Sequence, residues 1–194
     1  MSIPADTIRT TSIDPAVYAR LREIAEQLPQ APGTGKVEIA DGEIVMTISP
    51  VKRHELAVIR LARQLDAQLP RTRPGYIAHG GADVEDVGLG RLRNPDLTVF
   101  PEATLAGEQP AVLPHEVLLA VEIVSRSNPE NDHRNKVHDC SAMGIPYHLI
   151  VDPRTGTGIV HSEPGHESRE KFVFGDKTAV GPWTIDTGGL LTYA

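Results

Sequence analysis

The sequence predicts one mixed α/β (α+β) domain in which a central mixed β-sheet is flanked by helices. Three observations predict it. Apolar residues recur at helical spacing in two separate segments, short strand-like runs separate and follow them, and 194 residues suffice for one sizeable core but are short for two. The order of these elements (helix, hairpin, helix, strands, helix and further strands) is typical of layered α and β structure.

The chain is expected to begin with a flexible arm over residues 1–13, followed by a single domain over residues 14–194. Asp14-Pro15 is a favourable helix start, because Asp caps free backbone amides and Pro is tolerated in the first turn. Pro29 should end this helix. The apolar residues at helical spacing, which we expect to be buried, are Val17, Leu21, Ile24 and Leu28.

A hairpin and a second helix come next. Two β-prone runs, residues 37–39 and 43–48, flank Asp41-Gly42, which is a strong hairpin signal. Ser49-Pro50 opens the second predicted helix, and Pro70 should end it. The apolar face of this helix consists of Val58, Leu61, Ala62, Leu65 and Leu69.

The second half of the chain supplies most of the sheet. The run VLLAVEIV, residues 117–124, is almost continuously apolar, as expected of a strand that is buried on both faces. A third helix is predicted for residues 130–143 and closes at Gly144. The other predicted strands are residues 76–87, 96–100, 147–151, 157–161 and 171–174.

Composition and charge limit the classes of protein. A net charge of −7 argues against non-specific coating of nucleic acid, although a local basic patch is enough to bind phosphate. Cys140 is the only cysteine, which excludes an intrachain disulfide and fits a reducing compartment. We see no secretory signal, and the longest apolar run is too short to span a bilayer, so we expect a cytoplasmic protein.

Three charged residues are candidates for an active centre, and each also has a purely structural interpretation. Glu122 lies inside the apolar run, where its burial would be costly unless the carboxylate were paired or metal-bound; alternatively it faces water from an edge strand. Asp96 follows Pro95 at the head of a strand, where Asp is ordinary turn chemistry. Lys136 lies on the next predicted helix, where a lysine is usually solvated.

Taken together, the three residues favour a catalytic interpretation. An Asp and a Glu on adjacent strands provide oxygen ligands for a hard cation such as Mg²⁺ or Mn²⁺. A lysine beside them can position or deprotonate a water molecule and stabilise charge on a phosphate. We therefore expect Mg²⁺-dependent hydrolysis of phosphodiester bonds, and no nucleophile elbow or Gly-rich phosphate loop suggests another chemistry.

Several segments resemble the Uma-two (Uma2) family, a bacterial family of endonucleases in the PD-(D/E)XK, restriction-endonuclease-like superfamily. The resemblance runs from about residue 14 to residue 185. It also includes the family's opening, at residues 38–43, Ser49-Pro50 and His54. The segments that carry it are residues 93–97, 121–127, 132–136, 144–147 and 149–153.

The resemblance implies a restriction-endonuclease-like core and roles for individual residues. Asp96, Glu122 and the backbone of Ile123 are the implied metal ligands. The parent superfamily has its lysine two residues after the acidic residue, where this chain has Val124. Lys136 is therefore the implied catalytic lysine, with Arg134 as the runner-up. Glu38 matches a Glu of the family's first hairpin and is implied to hold a metal-bound water; its structural alternative is an exposed strand residue.

A basic cluster suggests where nucleic acid, with DNA expected, could bind. Its members, together with His54, either contact phosphates or form a solvated helix face, and the sequence leaves both open. The cluster consists of Lys52, Arg53, Arg60, Arg63, Arg71 and Arg73. A homodimer would suit cleavage of two strands. The competing functions are a catalytically inactive module that binds nucleic acid or protein, and a phosphodiesterase of small nucleotides.

Two electrostatic expectations complete the interpretation. Asp132 and Asp139 should pair with neighbouring basic side chains on their own helix. Asp96 and Glu122 should repel each other when no cation is bound, which would raise the pKa of one carboxyl. Asp96→Asn should then leave the protein at least as stable as the wild type.

Overall fold

The computed structural model describes residues 12–28, 34–48, 51–125, 135–162 and 164–193. The helices are α1 Pro15–Gln27, α2 Lys52–Asp66, α3 Leu69–Thr72 and α4 Lys136–Ala142. The strands are β1 Thr34–Ala40, β2 Glu43–Ile48, β3 Tyr76–His79, β4 Val84–Asp86, β5 Arg91–Arg93, β6 Leu97–Pro101, β7 Leu119–Ile123, β8 Tyr147–Asp152, β9 Thr157–Ser162, β10 Ser168–Val173, β11 Lys177–Val180 and β12 Trp183–Asp186.

A six-stranded mixed sheet forms the centre of the fold, in the order β10-β9-β8-β7-β6-β3. Strands β7 and β8 pair in parallel, and the other neighbours in this sheet pair antiparallel. A four-stranded antiparallel sheet, in the order β2-β1-β5-β4, and the β11-β12 hairpin complete the described strands. The predicted mixed α+β fold with a central sheet and flanking helices is therefore confirmed.

The two faces of the central sheet pack against different helices. Residues of odd number on β7, such as Val121, belong to the apolar cluster that includes Leu61 and Leu65 of α2. Ala120 belongs instead to the cluster that includes Cys140 of α4. Because side chains alternate along a strand, Glu122 lies on the same face as Ala120, towards α4.

The first helix buries only part of the face that its apolar spacing predicts. Val17 is 48% exposed and Ile24 is 37% exposed, whereas Tyr18 is 2% exposed. Tyr18 packs with Ile39 and Leu92 of the small sheet, and its hydroxyl donates to Glu85. Leu21 packs against this cluster as the spacing predicts, whereas Val17 and Ile24 do not, because the larger aromatic ring of Tyr18 with its polar partner occupies the buried position.

The hairpin prediction agrees with the structure. Strands β1 and β2 pair across Asp41-Gly42, and both turn residues have positive φ angles, 51° and 79°. This left-handed conformation is the reason that Asn or Asp followed by Gly favours tight hairpins.

The two ends of the second helix differ from those that the sequence predicts. The helix α2 begins at Lys52, and Ser49-Pro50 lies outside the described residues. Helix α2 ends at Asp66, so Pro70 is not its last residue. Pro70 lies in the first turn of the short helix α3, where the absence of a backbone N–H has no energetic cost. No described helix is both long and apolar enough to cross a membrane.

Strand β5 was not predicted, and the strand predicted for residues 76–87 is two strands, β3 and β4, which are separated at Gly80-Gly81. Strand β5 has three residues, of which two are arginines, so its sequence shows no alternation of apolar and polar residues that would predict a strand. All three side chains are nevertheless buried. In the third helical region, α4 begins at Lys136, and residues 126–134 lie outside the described part of the chain.

Candidate active site

Asp96 directly precedes β6, and Glu122 lies on the neighbouring strand β7. Strands β6 and β7 pair with Leu97 opposite Val121, and the backbone N–H of Asp96 donates to the Val121 carbonyl at 3.0 Å. Asp96 itself lies outside β6, and the backbone N–H of Ile123, the residue after Glu122, donates to Oδ2 of Asp96 at 2.7 Å. Asp96 is 9% exposed and Glu122 is 1% exposed. The structure thus places Asp96 beside the end of the strand that carries Glu122.

The Asp96 carboxylate is held from three sides. Its Oδ2 accepts the backbone N–H of Ile123 at 2.7 Å and lies 3.0 Å from Nε2 of His54. Its Oδ1 accepts a hydrogen bond from Nζ of Lys36 at 2.7 Å. Burial alone would raise the pKa of Asp96, but the His54 hydrogen bond and the positive charge of Lys36 hold this pKa well below its ordinary value. The expected rise in the pKa of one carboxyl of the pair therefore does not occur at Asp96.

Lys136 connects the other two carboxylates. From the first turn of α4, its Nζ donates to Oε2 of Glu122 at 2.9 Å and lies 3.2 Å from Oε1 of Glu38. Lys136 is 4% exposed, so it is not a solvated helix residue. Glu122 lies in an inner strand of the sheet, with β6 on one side and β8 on the other, so it is not an edge residue facing water.

Glu38 is completely buried and doubly paired. Its Oε2 accepts from Nη1 of Arg93 at 2.9 Å, and its Oε1 accepts the backbone N–H of Asn94 at 3.1 Å. Burial would raise the pKa of Glu38, but the charges of Lys136 and Arg93 outweigh it and keep this pKa below the usual range. The alternative of an exposed strand residue is wrong for Glu38, because its exposed fraction is 0%.

Asp139 pairs chiefly with two arginines of strand β5. Its carboxylate accepts from Nε of Arg93 at 2.8 Å and from Nε of Arg91 at 3.0 Å. On its own helix, Nδ1 of His138 lies 3.4 Å from Oδ1 of Asp139, so the expectation of helix pairing holds in part, although Asp139 faces the sheet and is 3% exposed. Asp132 and the runner-up Arg134 lie outside the described residues.

Sequence reasoning missed Lys36, Arg91 and Arg93. Each contacts its partner across 46 to 60 positions of the chain, so no local spacing reveals the pairs. One weak signal exists. Lys36 and Glu38 are two apart on β1, and residues with this spacing share one face of a strand.

The donor set fits a hard cation held by few protein ligands. In the described part of the chain, no three His, Cys, Asp or Glu side chains are arranged to hold a metal ion. Mg²⁺ commonly uses only one or two carboxylates, with water and substrate oxygens completing its shell. The N–H of Ile123 points to Asp96, and in an extended strand the C=O of the same residue points to the same side. Asp96, Glu122 and the Ile123 carbonyl therefore suit such an ion.

The side chains of the basic cluster lie in different environments. A guanidinium N–H of Arg53 donates to the Thr192 carbonyl at 2.7 Å, and one of Arg60 donates to the Gly189 carbonyl. These two side chains bind the C-terminal segment of the chain itself. His54 is buried against Asp96, whereas the exposed members are Lys52, Arg53, Arg63, Arg71 and Arg73.

Comparison with known proteins gives two findings. A family model named Uma2, described as "Putative restriction endonuclease", matches residues 22–184. A solved structure, described as a putative nuclease belonging to DUF820 from Anabaena variabilis ATCC 29413, superposes with a TM-score of 0.64 and 18% identity. The match covers 84% of this chain and 89% of that one, and at this identity it shows a shared fold. No curated protein matches the sequence significantly.

Proposed function

This chain belongs to the Uma2 family, as its sequence predicted, and from that premise we propose that it is a metal-dependent endonuclease that hydrolyses nucleic acid, with DNA as the first candidate. One observation carries the proposal. Two buried acidic residues, Asp96 and Glu122, lie at the adjoining ends of neighbouring strands in the central sheet, and the N–H of Ile123, next to Glu122, binds Asp96. A domain that needed only a stable core would gain little from this pair, because burying a charge is costly even when it is compensated.

In this proposal, Asp96, Glu122 and the carbonyl of Ile123 would hold Mg²⁺ or Mn²⁺. Such an ion supplies Lewis-acid polarisation of a phosphoryl oxygen and lowers the pKa of a coordinated water. The relevant atoms are hard oxygens, which match the preference of these cations. His54 keeps the Asp96 carboxylate in place through its Nε2.

The remaining side chains act on the attacking water and the phosphate. An ammonium donates hydrogen bonds but cannot accept them, so Lys136 orients the water and does not deprotonate it. Glu38, 3.2 Å from Nζ of Lys136, accepts a hydrogen bond from the same water. The water oxygen then bonds to phosphorus and releases a proton to solvent. The bond from phosphorus to the leaving sugar oxygen breaks, and that oxygen takes up a proton.

Cleavage of supercoiled plasmid DNA tests the proposal directly. The wild-type protein should nick plasmid with Mg²⁺ or Mn²⁺ and should be inactive in EDTA, whereas Asp96→Asn and Glu122→Gln should be inactive throughout. Lys136→Met should lose turnover and keep the metal-induced rise in melting temperature, because its role lies in the transition state. Glu170→Gln, on the exposed side of β10, is a matched control that should cleave normally. Cleavage by Asp96→Asn at the wild-type rate would contradict the site.

The competing function is a catalytically inactive module that binds nucleic acid or protein. One observation favours it: ammonium groups of the chain itself, from Lys36 and Lys136, already compensate the three acidic residues. The melting temperature separates the two functions. A cation at about 100 times its dissociation constant stabilises a protein by about 2.7 kcal/mol. Absence of any Mn²⁺-induced stabilisation, together with retained binding of DNA, would support the inactive module.

A further inference from the structure

Lys36 reaches the candidate site from the first hairpin. Its Nζ donates to Oδ1 of Asp96 at 2.7 Å and to the backbone carbonyl of Asn94 at 2.9 Å. The Asn94 carbonyl holds the ammonium beside Asp96 independently of the carboxylate. Within the described residues these two bonds take two of the three N–H donors of Lys36, which leaves one donor direction for a further ligand.

Access to solvent distinguishes Lys36 from Lys136. The Lys36 side chain is 24% exposed and the Lys136 side chain is 5% exposed. Lys36 and Asn94 also line a cavity of about 450 Å³ between α1 and the β1-β2 hairpin. This volume is within the range of roughly 300–1,000 Å³ that is typical of ligand pockets. Lys36 is therefore the more accessible of the two lysines, whereas Lys136 lies between Glu38 and Glu122.

We propose that Lys36 is a catalytic residue that contacts a non-bridging oxygen of the scissile phosphate. This inference rests on the proposed nuclease function. A cation bound to Asp96 would repel the Lys36 ammonium, and the phosphate that arrives with the substrate offers the ammonium an anionic oxygen nearby. Negative charge grows on the phosphoryl oxygens in the transition state, so a donor already tethered by Asn94 stabilises that state more than the ground state.

The chemistry divides between the two lysines accordingly. Lys136, between Glu38 and Glu122, orients the attacking water, while Lys36 contacts the phosphate. Loss of a single donor of this kind typically reduces turnover by about 10²–10³-fold. Replacement of Lys36 should therefore reduce kcat strongly while the cation still binds, since the proposed cation ligands remain.

Plasmid nicking with Mn²⁺ tests the inference in the full chain. Lys36→Met should reduce kcat by about 100-fold or more, with KM changed less and the Mn²⁺-induced rise in melting temperature retained. Lys36→Arg should recover part of the activity, because it keeps a positive donor at this position. Lys171→Met, which removes an exposed lysine of β10, is the matched control and should cleave as the wild type does.

Each of the remaining outcomes contradicts either the catalytic role of Lys36 or the nuclease function. Turnover of Lys36→Met within about threefold of the wild type overturns the role of Lys36 and leaves the nuclease function intact. Loss of cooperative unfolding in both Lys36→Met and the smaller change Lys36→Gln assigns Lys36 a structural role and also overturns it. A wild-type protein that cleaves neither plasmid nor single-stranded RNA with Mn²⁺ refutes the nuclease function itself, and the inference falls with it.

Discussion

Replacing Asp96 by Asn should destabilise the protein, contrary to the expectation from carboxylate repulsion. Asp96 is 9% exposed and accepts bonds from Lys36 and the Ile123 N–H, with His54 beside it. The neutral amide leaves the Lys36 ammonium without its counter-charge. Removing one partner of a buried ion pair costs about 3–5 kcal/mol. We expect the lower end, about 3 kcal/mol, because Asn keeps one oxygen acceptor.

Thermal unfolding followed by circular dichroism in EDTA at pH 7 measures this cost. For a domain of this length, 1 kcal/mol corresponds to about 2–4 °C, so the melting temperature should fall by roughly 6–12 °C. Glu170→Gln changes an exposed carboxylate and should shift it by little. A melting temperature of Asp96→Asn equal to or above the wild type would refute the ion-pair reasoning and restore the repulsion argument.

The pH dependence gives the same prediction a second readout. The pKa of Asp96 is lowered in the folded protein, so its contribution to stability is complete above the unfolded pKa, about 3.9. The contribution is lost as pH falls below that value towards the folded pKa. The difference in stability between the wild type and Asp96→Asn should therefore be largest near neutral pH and shrink below about pH 4.

Two further predictions concern nucleic-acid contact and acid stability. Arg63→Ala should reduce the slope of log affinity for DNA against log salt concentration by about one unit. Arg60→Ala should reduce this slope less, because the Arg60 guanidinium already binds the Gly189 carbonyl. Equal slopes for the two variants would contradict this difference. The second of these predictions concerns His148, which is fully buried. Its burial and the nearby His166 and His161 lower the pKa of its imidazole. The wild-type protein should therefore lose stability as the pH falls below about 6.5. His148→Gln should lose less between about pH 6.5 and pH 5 in urea unfolding, and an unchanged pH profile would show that another group is responsible.

The sequence by itself determined the features that depend on neighbouring residues. Asp41-Gly42 predicts its hairpin because the turn needs two positive φ angles, which local chemistry alone decides. Glu122 stood out because an acidic residue within an apolar run has few low-energy environments. The order of these motifs along the chain was enough to predict the family, and the match over residues 22–184 confirms it.

Only the tertiary structure decided how the charges of the site are compensated. Lys36 meets Asp96, Arg93 meets Glu38 and Asp139, and Lys136 joins Glu38 to Glu122, through contacts between strands and helices that are distant in sequence. Sequence spacing predicts which residues share one face of an element, but not which faces meet. The same limit explains why the spacing of apolar residues in α1 did not identify Tyr18 as the residue that packs against the small sheet. Burial and ion pairing are properties of the packed arrangement, because the free energy of a charge depends on everything that surrounds it.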